Sequence, residues 1–147
     1  MRVLGIDYGT VRLGLAMSDE EEILASPLPC QRRTHSLKHD LRRLTKLAAE
    51  YGVHRIVIGL PLNADGSQGP MAEETLAFAD RLKQAIDLPI EMVDERLTTD
   101  EVERVLIRAN LSRQKRKGLR DSLAAVLILQ DHLDRERSES LTDRECS

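Results

Sequence analysis

Four acidic residues at three places along the chain stand where a carboxylate could do chemistry: Asp7, the pair Asp94-Glu95, and Asp121. Asp7 interrupts the apolar run Val3-Leu4-Gly5-Ile6-Asp7-Tyr8. A charge buried without a partner is costly, so an apolar strand that carries one usually has a use for it. Asp94 and Glu95 follow the apolar stretch 89–93, and Asp121 opens the apolar run 123–129 after a basic segment. Carboxylates at strand ends beside an apolar interior suit a hard divalent cation, which takes oxygen ligands. Two such ions can activate water and stabilise the leaving oxygen in phosphodiester hydrolysis. Spacing alone leaves plainer roles open. Asp7 could cap a tight turn, Asp121 a helix, and Glu95 could be a solvated charge at a strand end.

These residues need a scaffold. Val3 to Tyr8 reads as a strand with Val3, Gly5 and Asp7 on one face and Leu4, Ile6 and Tyr8 on the other. Gly5 is expected to leave open space beside Asp7, and Gly9 to end the strand in a flexible turn. Leu13, Leu15 and Met17 alternate with Arg12, Gly14, Ala16 and Ser18, so residues 11–18 form the return strand of a hairpin. Ile23 to about Cys30 supplies a third strand, which Pro27 and Pro29 push to an edge. Leu37, Leu41, Leu44, Ala48 and Tyr51 mark a helix stopped by Gly52. A strand at 55–60, a Gly/Asn/Asp-rich loop at 61–69, a helix through Leu76, Ala79, Leu82 and Ile86, and a strand at 89–93 follow. Thr98 and Glu101 fit a capping box for the next helix. The basic segment 112–120 then interrupts. A last, deeply packed helix runs from about Asp121 to Leu133. Opening hairpins followed by β/α alternation predict an α/β fold: a mixed central sheet with helices on both faces.

The 147 residues predict one domain over 1–134 and a polar tail over 135–147, frayed or disordered. No stretch reaches membrane-spanning length and no signal-peptide pattern opens the chain, which favours the cytoplasm and no membrane partner. Cys30 and Cys146 show no metal-ligand spacing and read as reduced thiols. The net charge of −3 resides entirely in residues 131–147, where six acids face three arginines. Within the neutral remainder, Arg113, Lys115, Arg116, Lys117 and Arg120 form a concentrated basic patch. It is either a solvated connection or a segment that contacts phosphates. Arg12, just past the first turn, could also reach a phosphate near Asp7, or could form a structural ion pair.

Four segments in order carry a resemblance: GIDYGTVRLGLAMSD (5–19), IVIGLPLNADGSQGP (56–70), DERLTT (94–99) and DSLAAVLILQ (121–130). Together they resemble the YqgF family, described as Holliday-junction resolvases and as nucleases for the 5′ end of the 16S ribosomal RNA precursor. The resemblance implies a ribonuclease H-like fold. It implies that Asp7, Glu95 and Asp121 are the metal-holding catalytic acids, with Mg²⁺ or Mn²⁺ as cofactor. The implied partner is nucleic acid, either precursor ribosomal RNA or branched DNA, acted on by a monomer or weak homodimer.

Other features point less far. The loop 59–69 lacks the Gly-Lys-Ser/Thr of a P-loop, although amides at the following helix N-terminus could hold a phosphate. His35 and His39 are four apart but have no acidic or thiol partner nearby in the sequence, so they read as a solvated helix start. Tyr8, Tyr51 and Phe78 are the only aromatics, too few to stack unpaired bases, so recognition is expected through shape and backbone charge. Two other classes compete with a nuclease. GIDYGT also looks like the first phosphate loop of actin-like ATPases and sugar kinases, but the chain has room for one domain and shows no second phosphate loop. A ribosome-associated binding protein without catalysis is the other.

Overall fold

The computed structural model describes the backbone of residues 1–94 and 113–145, with side chains described over 1–94 and 122–138. Within these residues five strands form one sheet: β1 (Arg2–Asp7), β2 (Arg12–Ser18), β3 (Ala25–Arg32), β4 (Val53–Leu60) and β5 (Ile90–Asp94). Their order is β3-β2-β1-β4-β5. The first three pair antiparallel, and β4 and β5 join parallel to β1. This is the mixed sheet that the hairpin and β/α alternation predict. Pro27 and Pro29 sit on β3, which is an edge strand, where a missing amide donor is tolerated.

Among the described residues three helices cover the sheet: α1 (Leu37–Tyr51), α2 (Pro70–Ala85) and α3 (Arg113–Glu145). The ends of α1 follow from local chemistry. Ser36 Oγ accepts from the His39 amide, and Gly52 closes the helix in the left-handed region at φ 67°. Leu4 and Ile6 of β1 pack with Leu41 and Leu44 of α1 and with Phe78 and Leu82 of α2. Val3 of β1 faces the other way and packs with Val57, Val93 and the α3 residues Ala125, Ile128, Leu129 and Leu133. The alternation of β1 therefore divides the core: α1 and α2 lie on one face, α3 on the other.

The last helix differs from expectation at both ends. The basic segment does not interrupt; it forms the first turns of α3, so Asp121 lies inside the helix and does not cap it. The helix also continues past Leu133 to Glu145. The reason is visible in the polar turns after Leu133. Arg135 pairs with Asp131 at 3.1 Å and Arg137 with Asp134 at 2.6 Å, both at helical spacing, while Glu136 binds Arg55 of β4. The predicted helix beginning near Thr98 and Glu101 falls outside the described residues.

Candidate active site

Asp7 is the last residue of β1, half-buried, on the strand face that packs against α3. Gly5, two residues earlier on that face, is not beside open space. A Cβ there would lie 2.9 Å from Leu129 Cβ and 3.2 Å from the Ala125 carbonyl oxygen. The missing side chain is therefore the seat of α3 on the sheet.

Hydrogen bonds fix the direction of that helix. Ser122 Oγ donates to the Leu28 carbonyl at 2.8 Å. Eight residues on, Gln130 accepts from the Ala25 amide and donates to the Ile23 carbonyl, each at 2.9 Å. So α3 runs antiparallel to β3, and hence antiparallel to β1, since both strands pair antiparallel with β2. Asp121 precedes Ala125 by one helical turn, about 6 Å of axis. Asp7 follows Gly5 by a similar length of strand, about 6.6 Å. Both steps lead away from the same contact in the same direction. The backbones of Asp7 and Asp121 thus meet at one end of the sheet. Strand β5 is parallel to β4 and ends at Asp94 at that same end, with Asp94 opposite Leu60. Glu95, the next residue, lies outside the described residues.

The turn after Asp7 is tightly held. A Cβ at Gly9 would fall 2.3 Å from the Arg12 carbonyl oxygen, so the glycine permits a close backbone approach rather than mere flexibility. Arg33, just past β3, clamps this turn from the α1 side. Its Nη1 donates to Tyr8 Oη at 2.9 Å and to the Gly9 carbonyl at 3.2 Å, and its amide donates to the Val11 carbonyl at 2.8 Å. Its guanidinium lies 5.0 Å from the Tyr8 ring centre. Fully buried Asp40 stands 3.9 Å from Arg33 Nε and accepts from the amide and hydroxyl of Thr34. Sequence reasoning missed Arg33. Its partners are 24 and 25 positions away, and only the pairing of β2 with β3 brings them together.

Arg12 opens β2 opposite Arg32 of β3, at the Asp7 end. Arg113, Lys115, Arg116, Lys117 and Arg120 occupy the turns of α3 that precede Asp121. The loop after β4 is folded on itself. Asp65 accepts from the Ser67 amide and hydroxyl, Asn63 donates to Ser67 Oγ at 2.9 Å, and a Cβ on Gly69 would lie 3.3 Å from Asn63 Oδ1. Asn63, Asp65 and Ser67 are thus engaged in holding the loop's own shape. His39 has only its amide engaged, in the cap of α1, as expected of a solvated helix start.

A second charged group lies at the opposite end of the same face. Arg55 of β4 binds Glu136 through both terminal nitrogens and reaches Glu22 at 3.2 Å. His132 Nε2 lies 3.2 Å from Glu136 and 3.4 Å from Glu91. Among the described residues, Glu91, His132 and Glu136 are the one grouping with the spacing of metal ligands. Arg55 pairs in register with Val3, four residues before Asp7, so this group is about 13 Å along the strand from Asp7. The Arg55 guanidinium holds the Glu136 carboxyl below its ordinary range, by hydrogen bonding first, with the nearby charge adding to it.

Comparison with known proteins agrees with this architecture. The Thermus thermophilus RuvC in complex with a Holliday junction substrate superposes with TM-score 0.59 over 94% of this chain and 96% of that one, at 16% identity. A second structure of Thermus thermophilus RuvC gives 0.53 over 94% and 97%, at 13% identity. At these identities the likeness establishes the fold, the ribonuclease H-like fold of that resolvase. Two curated relatives carry the name "Putative pre-16S rRNA nuclease". One, from Desulforudis audaxviator, is 44% identical over 94% of this chain and 97% of its own length; the other, from Symbiobacterium thermophilum, is 47% identical over 91% and 92%. No described helix is long and apolar enough to cross a membrane. The family described as "RuvX: Holliday junction resolvase" matches residues 1–135, and the chain belongs to this family of nucleases.

Proposed function

We propose that this nuclease hydrolyses phosphodiester bonds in structured nucleic acid with a divalent metal held by Asp7, Glu95 and Asp121, and that its substrate is the 5′ region of the 16S ribosomal RNA precursor. The observation that carries the reading is the seating of α3 on Gly5. It brings the Asp121 backbone to the strand end occupied by Asp7, the end at which β5 stops with Asp94, the residue before Glu95 in the sequence. The donor set fits the group: three carboxylates offer the oxygen ligands that Mg²⁺ or Mn²⁺ takes, and Asp7 stands on the rigid end of a sheet strand. When bound, such ions lower the pKa of water and stabilise the leaving oxygen. The chain's own residues supply the rest. Arg33 and Asp40 hold the Gly9 turn and so fix where Asp7 ends its strand. Arg12 and the cations of the first turns of α3, Arg113, Lys115, Arg116, Lys117 and Arg120, would hold the backbone of the substrate.

The substrate class follows the names of the relatives, which match over nearly their full length. A four-way DNA junction is the second reading, favoured by the family description. The protein would act in the cytoplasm as a monomer or weak homodimer, with residues 1–134 as the nuclease unit. Incubating labelled precursor-rRNA fragments and four-way DNA junctions with and without Mn²⁺ tests this. Metal-dependent cutting that Asp7→Asn abolishes supports it. Cutting that survives chelation, or survives in a folded Asp7→Asn variant, overturns it.

A further inference from the structure

Between α1 and α2, on the sheet face opposite α3, lies an open groove of about 690 Å³. Its charged lining is entirely positive: Lys38, Arg42 and Lys46 on α1 and Arg81 on α2, with no carboxylate. All four side chains are exposed, and among the described residues none has an acidic partner. Residues 32–46 hold six cations against one acid, and that acid, Asp40, is fully buried beside Arg33. In a chain of net charge −3 this is a local field strong enough to attract a polyanion.

The spacing selects the kind of polyanion. Lys38, Arg42 and Lys46 stand four residues apart, so they form one row about 12 Å long on the helix. One strand of a duplex passes a phosphate about every 3.4 Å, three to four phosphates over that row. No aromatic side chain lines the groove, which rules out a stacking platform for bases and leaves the backbone as the group recognised. The track continues towards the catalytic end. A neighbouring 250 Å³ cavity shares Arg81 with the groove and is lined by Arg33 and by Tyr8, the residue after Asp7; Glu74 is its one acid.

We propose that this groove is a second docking site for the phosphate backbone of double-helical nucleic acid. It would hold a part of the substrate remote from the cleaved bond, on the far face of the sheet. The proposal rests on the nuclease reading and deepens it: the substrate must be long and folded enough to wrap over the sheet end from Asp7 to α1.

The test is the triple variant Lys38→Gln, Arg42→Gln, Lys46→Gln. Its binding is compared with that of wild type on one helical sequence prepared as RNA and as DNA, over a salt series. A control variant, Arg135→Gln with Arg137→Gln, changes exposed cations elsewhere. We expect the triple variant to bind at least tenfold more weakly and the log–log salt slope to fall by up to roughly 2.7 on duplex DNA. The control should match wild type, and Lys38→Arg with Lys46→Arg should keep wild-type affinity. Loss on the RNA helix alone assigns the groove to RNA; equal loss assigns it to either backbone. Wild-type affinity and slope in the folded triple variant, while the wild-type protein cuts, overturns the groove and leaves the nuclease reading intact. A wild-type protein that neither binds nor cuts overturns both.

Discussion

Gly5 of β1 and Leu129 of α3 stand closer than any side chain at position 5 would permit, a Cβ there lying 2.9 Å from Leu129 Cβ. The contact joins the strand that carries Asp7 to the helix that carries Asp121, so it sets the core and, with it, the geometry of the proposed site. Gly5→Val should destabilise the protein by about 1–3 kcal/mol through overpacking. Because the helix must move to admit the new methyls, cleavage should fall even where the variant is fully folded. Denaturant titration and turnover measured on the same samples check both parts. A folded Gly5→Val variant with wild-type turnover would show that the helix position does not matter to the chemistry.

Asp7→Asn should lose nearly all cleavage while keeping its melting temperature. Asn is close in shape but a much weaker ligand for a hard cation. Glu95→Gln and Asp121→Asn should behave alike. Combined substitutions should lose far less than the product of the single losses if, as proposed, the acids work as one metal-binding unit. Single-turnover rates for the singles and doubles give the answer, and multiplicative losses would argue against a shared site.

Arg33 is expected to act on the Gly9 turn rather than on the substrate's metal-bound end. Arg33→Met removes the donors to Tyr8 Oη and the Gly9 carbonyl and leaves buried Asp40 without its nearest cation. The loss should be about 1–3 kcal/mol of stability. Faster hydrogen exchange at the amides of residues 9–12 should accompany it. Unchanged exchange there would place the stabilisation elsewhere.

Much of this architecture was open to reading because it is written in short-range terms. The Ser36 and Gly52 ends of α1 are local chemistry, and Pro27 and Pro29 mark β3 as an edge by what they cannot donate. What escaped was set by distant partners. Gly5 reads as open space until α3 is laid on it. The polar turns after Leu133 look unstructured until Glu136 meets Arg55 of β4. Nothing in the order of Lys38, Arg42 and Lys46 points to a groove until α2 supplies the other wall with Arg81. At the proposed site, the place of Asp7 at the end of its strand was legible locally, whereas its proximity to the Asp121 backbone needed the direction of α3.

Acid should uncouple the end of α3 from the sheet. Arg55 lowers the Glu136 pKa below its ordinary 4.5, by hydrogen bonding first and by charge second. A depressed carboxylate pKa contributes stability that is present above the unfolded value and lost as pH falls through the folded one. Glu136 is more than a third exposed, so screening limits the contribution to about 1 kcal/mol. Glu136→Gln should therefore be less stable than wild type at pH 7, and the difference should shrink to nothing once the pH is well below 4.5. Thermal melts of both proteins across that range measure it. A constant difference at every pH would mean that the charge on Glu136 is irrelevant.

The first turns of α3 should govern substrate affinity separately from the groove on the opposite face. Arg113, Lys115, Arg116 and Lys117 lie on a continuous helix that leads into Asp121, so a backbone held there is delivered to the acids. Neutralising all four should weaken binding of unrelated sequences about equally. The salt slope on duplex DNA should fall by up to roughly 3.6 if every one touches a phosphate. Metal affinity, read by calorimetry without nucleic acid, should hardly change. Because α3 and α1 pack on opposite faces of the sheet, their losses should add when the quadruple and triple variants are combined. Two losses that fail to add would mean that one backbone segment bridges both surfaces, and that the two are a single site. Unchanged affinity and slope in the quadruple variant would assign the first turns of α3 a purely structural role.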